Sequence, residues 1–357
     1  MRFSPALLTS KRKSSFPVQN VIFFLLIFLF SCDASNSQEH KAADSTNRQT
    51  ITEEVKEEQK TVALSLDTAL YDQKYNYLAA GDTLGNWPVK APHPLPGAIL
   101  PFKRVIAYYG NLYSKKMGIL GELPEAEMTA KLKEEIQKWN AADSTTEAIP
   151  ALHYIAVTAQ GSPGKDGKYR LRMPFHQIDS VLKMSEKINA ITFVDIQVGL
   201  STLQQEVPQL EKYLSRPDMH LGIDPEFSMK GGERPGKVIG SFNADDINYV
   251  TGYLADLVKK NNLPPKILVI HRFTQAMMKD YKNIKLRPEV QVVIDMDGWG
   301  HQARKKNTYR QYVYKEPVQF AGFKVFYKND TREANSRPMT PDELIELVPK
   351  PIYIQYQ

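Results

Sequence analysis

From residue 104 onward, short apolar runs alternate with segments whose apolar and polar residues follow a helical spacing. The apolar runs are rich in Val, Ile, Phe and Tyr, which is typical of buried strands. They are RVIAYYG (104–110), ALHYIAVTAQ (151–160), ITFVDIQVG (191–199), HLGIDPEF (220–227), KILVIHRF (266–273), VQVVIDMDG (290–298), FAGFKVFYK (320–328) and PIYIQYQ (351–357). The pattern therefore predicts eight strands.

Helices are predicted between these strands. The amphipathic segments are 125–141, 176–189, 201–215, 243–261, 274–282, 301–312 and 340–348. Ser201, Asn243, Thr274 and Thr340 are suitable N-cap residues, and Thr340 is followed by Glu343 three residues later, as in a capping box. Strands and helices that alternate in this way predict an α/β fold, a (β/α)₈ TIM barrel, with an open doubly wound sheet as the alternative.

The connections differ in length at the two ends of the predicted barrel. Helix-to-strand connections such as 216–219 and 263–266 are short. The longer strand-to-helix connections are 111–124, 161–175, 228–242 and 329–339. Because the loops that follow the strands build the active site in this fold, we expect the functional site at that end.

The eighth strand is not followed by an eighth helix in this sequence. We expect the segment that precedes the first strand, residues 62–100, to pack over the gap between the last and first strands. A helix is predicted there at 65–78, and closing the floor of the barrel is the alternative position for it. In either position residues 62–357 are expected to form a single barrel domain.

The first 31 residues have the pattern of an export signal. A basic KRK at 11–13 precedes the apolar run VIFFLLIFLF at 21–30, which is too short to span a bilayer. The following LFSC resembles the bacterial lipoprotein box, which implies lipidation at Cys32 and attachment to a membrane of the cell envelope. A short membrane anchor with an unrelated cysteine is the alternative. Residues 32–61 are polar, lack aromatic residues and are expected to form a flexible tether.

The charge balance and the cysteine content limit the partners and sites that this chain can have. The formal net charge is +6, but residues 1–31 contain four basic residues and no acid, so the remainder carries only +2. This balance does not favour nucleic acid as a partner. Cys32 is the only cysteine in the sequence, which rules out a disulfide within the chain and a cysteine metal site.

Acidic and other polar residues cluster where the predicted strands end. In HLGIDPEF, Asp224 and Glu226 flank Pro225, and a proline in a barrel strand is tolerated at the strand end. Side chains alternate along a strand, so these polar residues are expected to face the mouth of the barrel. The predicted set is Tyr108, Gln160, Asp195, Gln197, Asp224, Glu226, His271, Asp295, Asp297, Trp299, Lys324 and Gln355. Thr158 closes the second strand in the same way.

Two of these stretches resemble a known family. VIAYYG on the first strand and the D-x-E of Asp224 and Glu226 resemble chitinase-type glycoside hydrolases and, more loosely, barrel-type lysozymes. The further aspartates of the chitinase motif are replaced here by His220, Leu221 and Gly222. The whole body also resembles secreted bacterial barrel lipoproteins, which implies the fold and export but no particular reaction.

The resemblance implies glycan cleavage that needs no cofactor. Glu226 would then be the general acid, because one carboxyl group must stay protonated near neutral pH. Asp224 would orient Glu226 or a substrate N-acetyl group, and Asp195 or Asp295 would stabilise the developing positive charge. Tyr108, Tyr109 and Trp299 would stack on sugar rings.

Two other functions remain open from the sequence. In a metal-dependent hydrolase of phosphoesters or amides, a divalent ion would be held by carboxylates and a histidine. The ligands proposed for it are Asp195, Asp224, Glu226, His271 and Asp295. A glycan-binding envelope adaptor without catalysis is the third possibility, since a barrel by itself implies no reaction.

Overall fold

Eight parallel strands close into a barrel in the computed structural model, which describes residues 65–357. They are β1 Lys103–Gly110, β2 Glu147–Ala159, β4 Ile191–Ile196, β5 Met219–Ile223, β6 Lys266–Arg272, β7 Val290–Met296, β8 Phe320–Val325 and β9 Tyr353–Tyr356. The barrel closes because β1 pairs in parallel with both β2 and β9, so that Val105 lies between Ile149 and Tyr353. A further short strand, β3 (Arg170–Arg172), pairs antiparallel with β2. The predicted (β/α)₈ barrel is confirmed.

The strands are apolar on both faces because both faces are covered. Side chains of one phase, such as Val105, Phe193 and Val293, fill the interior of the barrel. Those of the other phase, such as Val194 and Ile294, pack against the surrounding helices. This two-sided burial is why each strand forms a nearly continuous apolar run in the sequence.

Most of the helices lie where the sequence predicts them. They are α1 Thr68–Ala79, α2 Ile119–Glu122, α3 Glu125–Ala142, α4 Phe175–Lys187, α5 Leu203–Glu206, α6 Glu211–Leu214, α7 Ala244–Asn261, α8 Gln302–Tyr309 and α9 Pro341–Ile345. Capping boxes begin α7 at Asn243 and α9 at Thr340, as predicted.

Two of the predicted helices are wrong as continuous elements. The segment 201–215 is divided into α5, a 3₁₀ turn and α6, because Pro208 has no N–H to donate. Its first cap is Thr202 rather than Ser201. The segment 274–282 forms only two 3₁₀ turns, since Asp280 has a positive φ of 56° and the Arg272 guanidinium takes the carbonyl oxygens of Thr274 and Gln275.

Helix α1 closes the floor of the barrel, the second of the two positions considered for its segment. Tyr71, Tyr75 and Leu78 pack against the lowest interior side chains, including Phe320. The Tyr75 hydroxyl donates to the backbone oxygen of Gln319 at 2.9 Å, which ties the helix to the start of β8. The floor is therefore covered by apolar contacts and a buried hydrogen bond.

Three tyrosine rings cover the outside of the barrel where β9 meets β1. Tyr108, Tyr327 and Tyr356 have ring centroids 5.3–6.3 Å apart. The amine of Lys131 on α3 lies 4.1 Å from the centroid of the Tyr327 ring. This part of the barrel is thus covered by aromatic side chains and α3.

The predicted export signal, Cys32 and the tether lie outside the described residues. From residue 65 to 357, the structure contains no helix with the length and hydrophobicity needed to cross a bilayer.

We expect truncation of the floor helix to destabilise the whole barrel. Tyr75→Ala removes a side chain that is only 7% exposed and should lower the free energy of unfolding by about 3–5 kcal/mol. Leu70→Ala on the same helix is the control, because Leu70 is 39% exposed and its truncation should cost less than about 1 kcal/mol. Urea denaturation measures both, and equal losses would contradict a floor held by the buried face of α1.

Candidate active site

A cavity of about 540 Å³ opens at the carboxyl-terminal mouth of the barrel. Loops that follow the strands form its walls, as the loop lengths predict. Six of the predicted site residues line it: Gln197, Asp224, Glu226, Asp297, Trp299 and Lys324. Tyr109, Phe227 and Phe273 add aromatic surface.

Four other predicted residues lie one layer deeper, in the barrel interior. Asp195, His271, Asp295 and Gln355 are fully buried and do not line the cavity. Asp195 lies on β4 and Gln197 directly follows that strand, and Asp295 on β7 is followed in the same way by Asp297. These two strands therefore each place one polar residue in the buried layer and, just beyond the strand end, another at the cavity.

Tyr108 and Gln160 do not reach the positions predicted for them. Tyr108 points out of the barrel, where its hydroxyl lies 3.0 Å from that of Tyr327. The adjacent Tyr109 has the inward phase of Val105 and Ala107 and lines the cavity instead. Gln160 lies at the base of the β2–β3 arm, where its backbone N–H donates to Tyr169, and it is not a lining residue.

His271 occupies the centre of the buried layer and faces three carboxylates. Its Nε2 lies 3.5 Å from Asp195 Oδ2, and its Nδ1 lies 3.4 Å from Asp295 Oδ2 and 3.2 Å from Asp297 Oδ2. Burial disfavours the charged imidazole, but Asp195 and the other carboxylates outweigh it and raise the pKa of His271 well above its ordinary value. His271 is therefore a buried cation at neutral pH.

Asp195 is the ionised partner of that cation. Burial alone would raise the pKa of Asp195, but His271 and His153 hold it well below its ordinary value. The Tyr109 hydroxyl donates to Asp195 Oδ2 at 2.7 Å, and His153 Nε2 lies 3.7 Å from Oδ1. Because burial lowers the pKa of His153 to about 4, this second histidine is neutral.

Asp297 brings an ionised carboxylate to the cavity itself. Its Oδ1 lies 3.0 Å from the amine of Lys324, whose amine also lies 4.0 Å from the centroid of the Tyr109 ring. Burial raises the pKa of Asp297, but Lys324 and His271 more than offset this effect and lower it below the ordinary value. Asp297 is thus negatively charged at neutral pH.

Asp224 and Glu226 follow β5 on a single 3₁₀ turn that Pro225 begins. The backbone N–H of Glu226 donates to Asp224 Oδ1 at 3.1 Å, so Asp224 caps this turn. Gln197 accepts from the Ala159 N–H, and its amide nitrogen lies 3.3 Å from Asp224 Oδ2, to which it donates. The side chain of Asp224 is therefore held in one orientation.

The carboxyl groups of Asp224 and Glu226 keep their protons to a higher pH than usual. The pKa of Asp224 is raised to about 8 and that of Glu226 to about 7, and burial is the main cause for both. The nearby charge of Asp297 contributes to both rises, whereas His271 opposes them. At neutral pH the cavity thus contains a carboxyl group near its titration midpoint at residue 226 and an ionised one at residue 297.

The proposed metal ligands do not come together as a set. Asp195 and His271 lie close to each other, and the third potential ligand near them is His153 rather than Asp224, Glu226 or Asp295. A metal ion bound by His153, Asp195 and His271 would have to displace the proton that the surrounding carboxylates favour on His271. The ligand set predicted for the metal-dependent hydrolase is therefore not the one that the structure brings together.

Two glycines provide the space that the buried layer needs. A Cβ atom at Gly222 would lie 2.4 Å from His153 Nε2 and 2.5 Å from Asp195 Oδ1. A Cβ atom at Gly322 would lie 2.8 Å from Asp295 Oδ1. Burial raises the pKa of Asp295 above its ordinary value, and His271 opposes this rise.

His153 and Tyr353 also belong to this layer and were not predicted from the sequence, whereas Tyr109 was predicted only to stack on a sugar ring. His153 Nδ1 lies 2.5 Å from the Tyr353 hydroxyl, which in turn accepts a hydrogen bond from the Gln355 amide at 2.9 Å. The inward phase of Val105 and Ala107 was a usable signal for Tyr109. His153 could not be identified in this way, because the residues around it in β2 are apolar. A bulge between Ile155 and Val157 also shifts the alternation of inward and outward side chains along that strand.

No protein-family model and no curated protein sequence matches this chain. Among solved structures, a ruminal GH26 endo-β-1,4-mannanase is similar at 11% identity and a TM-score of 0.34, over 71% of this chain and 59% of the mannanase. A group IV chitinase from Ostrinia furnacalis is similar at 13% identity and a TM-score of 0.34, over 67% of this chain and 72% of the chitinase.

Cel5A from Thermotoga maritima is similar at 8% identity and a TM-score of 0.35, over 72% of this chain and 88% of that protein. These values are too low to support any inference about the reaction of this chain, which has to come from its own residues.

We expect Gly222→Ala to disrupt the buried layer. The added methyl group would collide with His153 and Asp195 and should lower the free energy of unfolding by about 1–3 kcal/mol. Gly252→Ala on α7 is the matched control, because its Cβ would meet only Arg287 at 3.7 Å. Alanine there should stabilise the protein by up to about 1 kcal/mol. Thermal or urea unfolding tests the pair, and a fully stable Gly222→Ala protein would contradict this packing.

Proposed function

We propose that this protein hydrolyses glycosidic bonds in the cavity at the barrel mouth, with Glu226 as the general acid. One observation carries the proposal: two carboxyl groups of the same cavity have pKa values shifted in opposite directions. That of Glu226 is raised to about 7, whereas that of Asp297 is lowered. Glycoside cleavage needs this combination of a proton donor and an ionised carboxylate.

In the proposed reaction Glu226 donates its proton to the oxygen of the glycosidic bond. The bond between that oxygen and the anomeric carbon breaks, and the oxygen keeps the electron pair. The positive charge that develops on the sugar ring is stabilised by the Asp297 carboxylate. Water then adds to the anomeric carbon, and its proton returns to the Glu226 carboxylate.

The other predicted catalytic residues support this pair. Asp224 holds Glu226 through the turn that joins them, and its own proton keeps a second negative charge out of the cavity. Asp195 and Asp295 lie beneath the lining and act on the substrate only through His271 and Asp297. We therefore assign the charge-stabilising role to Asp297 instead of Asp195 or Asp295.

The cavity suits a sugar in size and surface. Its volume of about 540 Å³ lies in the range of ligand pockets. Trp299 is 43% exposed and lines the cavity together with Phe227 and Phe273. Aromatic faces of this kind pack against the apolar faces of sugar rings.

The place of action proposed for this enzyme is the bacterial cell envelope. The support is the sequence pattern of residues 1–31, in which a basic and then an apolar stretch precede Cys32. A lipid on Cys32 and the polar tether 32–61 would hold the barrel near the membrane surface, where envelope and extracellular glycans are substrates.

Glu226→Gln is expected to lower the rate of glycan cleavage about 10²–10⁴-fold, because glutamine has no proton to donate. The assay is release of reducing ends from chitin oligosaccharides and peptidoglycan glycan strands. Glu233→Gln, in the same loop but exposed and not in the cavity lining, is the control and should retain full activity.

Other outcomes would favour the alternative functions. Glycan binding by the wild-type protein without turnover would support the non-catalytic adaptor. Activity that disappears with EDTA and returns with a divalent ion would support the metal-dependent hydrolase. Equal activity of Glu226→Gln and wild type would refute the assignment of Glu226.

The pH dependence of cleavage provides a second test. Activity should fall as the pH rises above about 7, because Glu226 then loses the proton that it must donate. Asp297→Asn removes a negative charge that raises the pKa of Glu226, so the residual activity should decline at a lower pH than in wild type. The midpoint of the alkaline limb measures this shift, and an upward shift in Asp297→Asn would contradict the proposed coupling.

A further inference from the structure

A side pocket of about 170 Å³ lies next to the cavity, at the rim formed by the loops after β1 and β8 and by the end of β9. Lys116, Phe326 and Gln357 line both hollows and form the wall between them. The Gln357 side chain donates to the backbone oxygen of Met117 at 3.0 Å, which holds the loop after β1 against the end of β9. The two hollows are therefore adjacent, and a chain-like ligand in the cavity would reach the side pocket by passing over this wall.

The side pocket is strongly basic. Its lining contains four lysines, Lys115, Lys116, Lys131 and Lys328, and one acid, Glu122. Glu122 forms an ion pair with Lys328. Among residues 65–357, no carboxylate lies within 4.0 Å of the amine of Lys115, Lys116 or Lys131, so three positive charges stay uncompensated.

One of these lysines is held in place. Lys131 is half-buried, and its amine lies 4.1 Å from the centroid of the Tyr327 ring. The Tyr327 ring is itself stacked on Tyr356, with 5.3 Å between the centroids. A cation fixed over an aromatic face loses less side-chain entropy when it binds an anion than a fully exposed lysine does.

The neighbouring cavity does not neutralise these charges. Asp224 favours its protonated form at neutral pH and Glu226 is near its titration midpoint, while the ionised Asp297 is balanced by Lys324. Arg304, on the far wall, is paired with Glu333. Concave sites lined by one sign of charge concentrate ligands of the opposite sign.

We propose that the side pocket is a subsite for an anionic sugar, so that the protein selects glycans carrying negative charges next to the bond that it cleaves. This inference rests on the proposed function in one respect, the presence of a glycan in the main cavity. The carboxylate of a uronic acid, the carboxylate of a lactyl ether and a sulfate ester are the three sources of this anion. These groups share the negative charge that the lysines recognise.

Binding to the Glu226→Gln protein tests the subsite without requiring turnover. The probes are oligogalacturonides, lactyl-bearing peptidoglycan oligosaccharides and sulfated galactan oligosaccharides, each compared by calorimetry with a carboxyl-reduced or desulfated counterpart. We expect at least one anionic probe to bind about tenfold more tightly than its neutral counterpart. The difference should shrink at 0.5 M salt, because screening weakens exposed charges.

Lysine variants locate the effect in the side pocket. Lys115→Gln and Lys131→Gln, which line the side pocket but not the main cavity, should each weaken the binding of the anionic probe about threefold, and the double variant about tenfold, with no change for the neutral probe. Lys165→Gln, an exposed lysine on the β2–β3 arm that lines neither hollow, is the control and should bind as the parent protein does.

The outcomes separate this inference from the proposed function. Lysine-dependent binding of an anionic probe that wild type does not cleave would support the subsite and count against hydrolysis. Cleavage of anionic glycans at a rate that the lysine variants leave unchanged, and that is no higher than the rate for neutral glycans, would support hydrolysis and overturn the subsite. Failure of every anionic probe to bind more tightly than its neutral counterpart would also overturn it.

Discussion

The imidazolium of His271, enclosed by Asp195, Asp295 and Asp297, is the interaction on which the site depends. A buried carboxylate is costly unless a cation and hydrogen bonds compensate it. At neutral pH the interior balances two ionised aspartates, Asp195 and Asp297, with two cations, His271 and Lys324. Burial raises the pKa of Asp224 to about 8 and also raises that of Asp295. The protonation state of Glu226 follows from this balance.

The fold could be predicted from the sequence because its main constraint is repeated along the chain. Each strand of a closed barrel with covered faces is apolar on both sides, and this produced eight separate apolar runs. The prediction was wrong where a local feature of the sequence interrupts this alternation of strands and helices. At Pro208 one predicted helix is divided into three short elements. At 274–282 the Arg272 guanidinium takes carbonyl oxygens that a helix would need for its own hydrogen bonds.

The site could be predicted only in part, for a reason that particular residues show. Strand ends identified the acids, since Asp224 and Asp297 follow apolar runs directly. It was harder to infer which side chains face the interior of the barrel. Tyr108 and Tyr109 are adjacent residues of the same type, so their chemistry does not distinguish them. In β2, a bulge shifts the alternation of inward and outward side chains. Whether an acid lines the cavity or lies beneath it depends on how far its strand extends toward the mouth of the barrel. The register of the paired strands sets this position, and the sequence alone does not show that register.

Helix α1 closes one end of the barrel, and this determines how molecules enter and leave the site at the other end. Its tyrosines close the floor, so in the part of the chain that the structure describes the cavity opens at the carboxyl-terminal mouth. Under the proposed function, the incoming glycan, the attacking water and both products then share one passage. Under the proposed function, a product that remains in that passage obstructs the next substrate, and departure from the cavity becomes a step that can limit turnover.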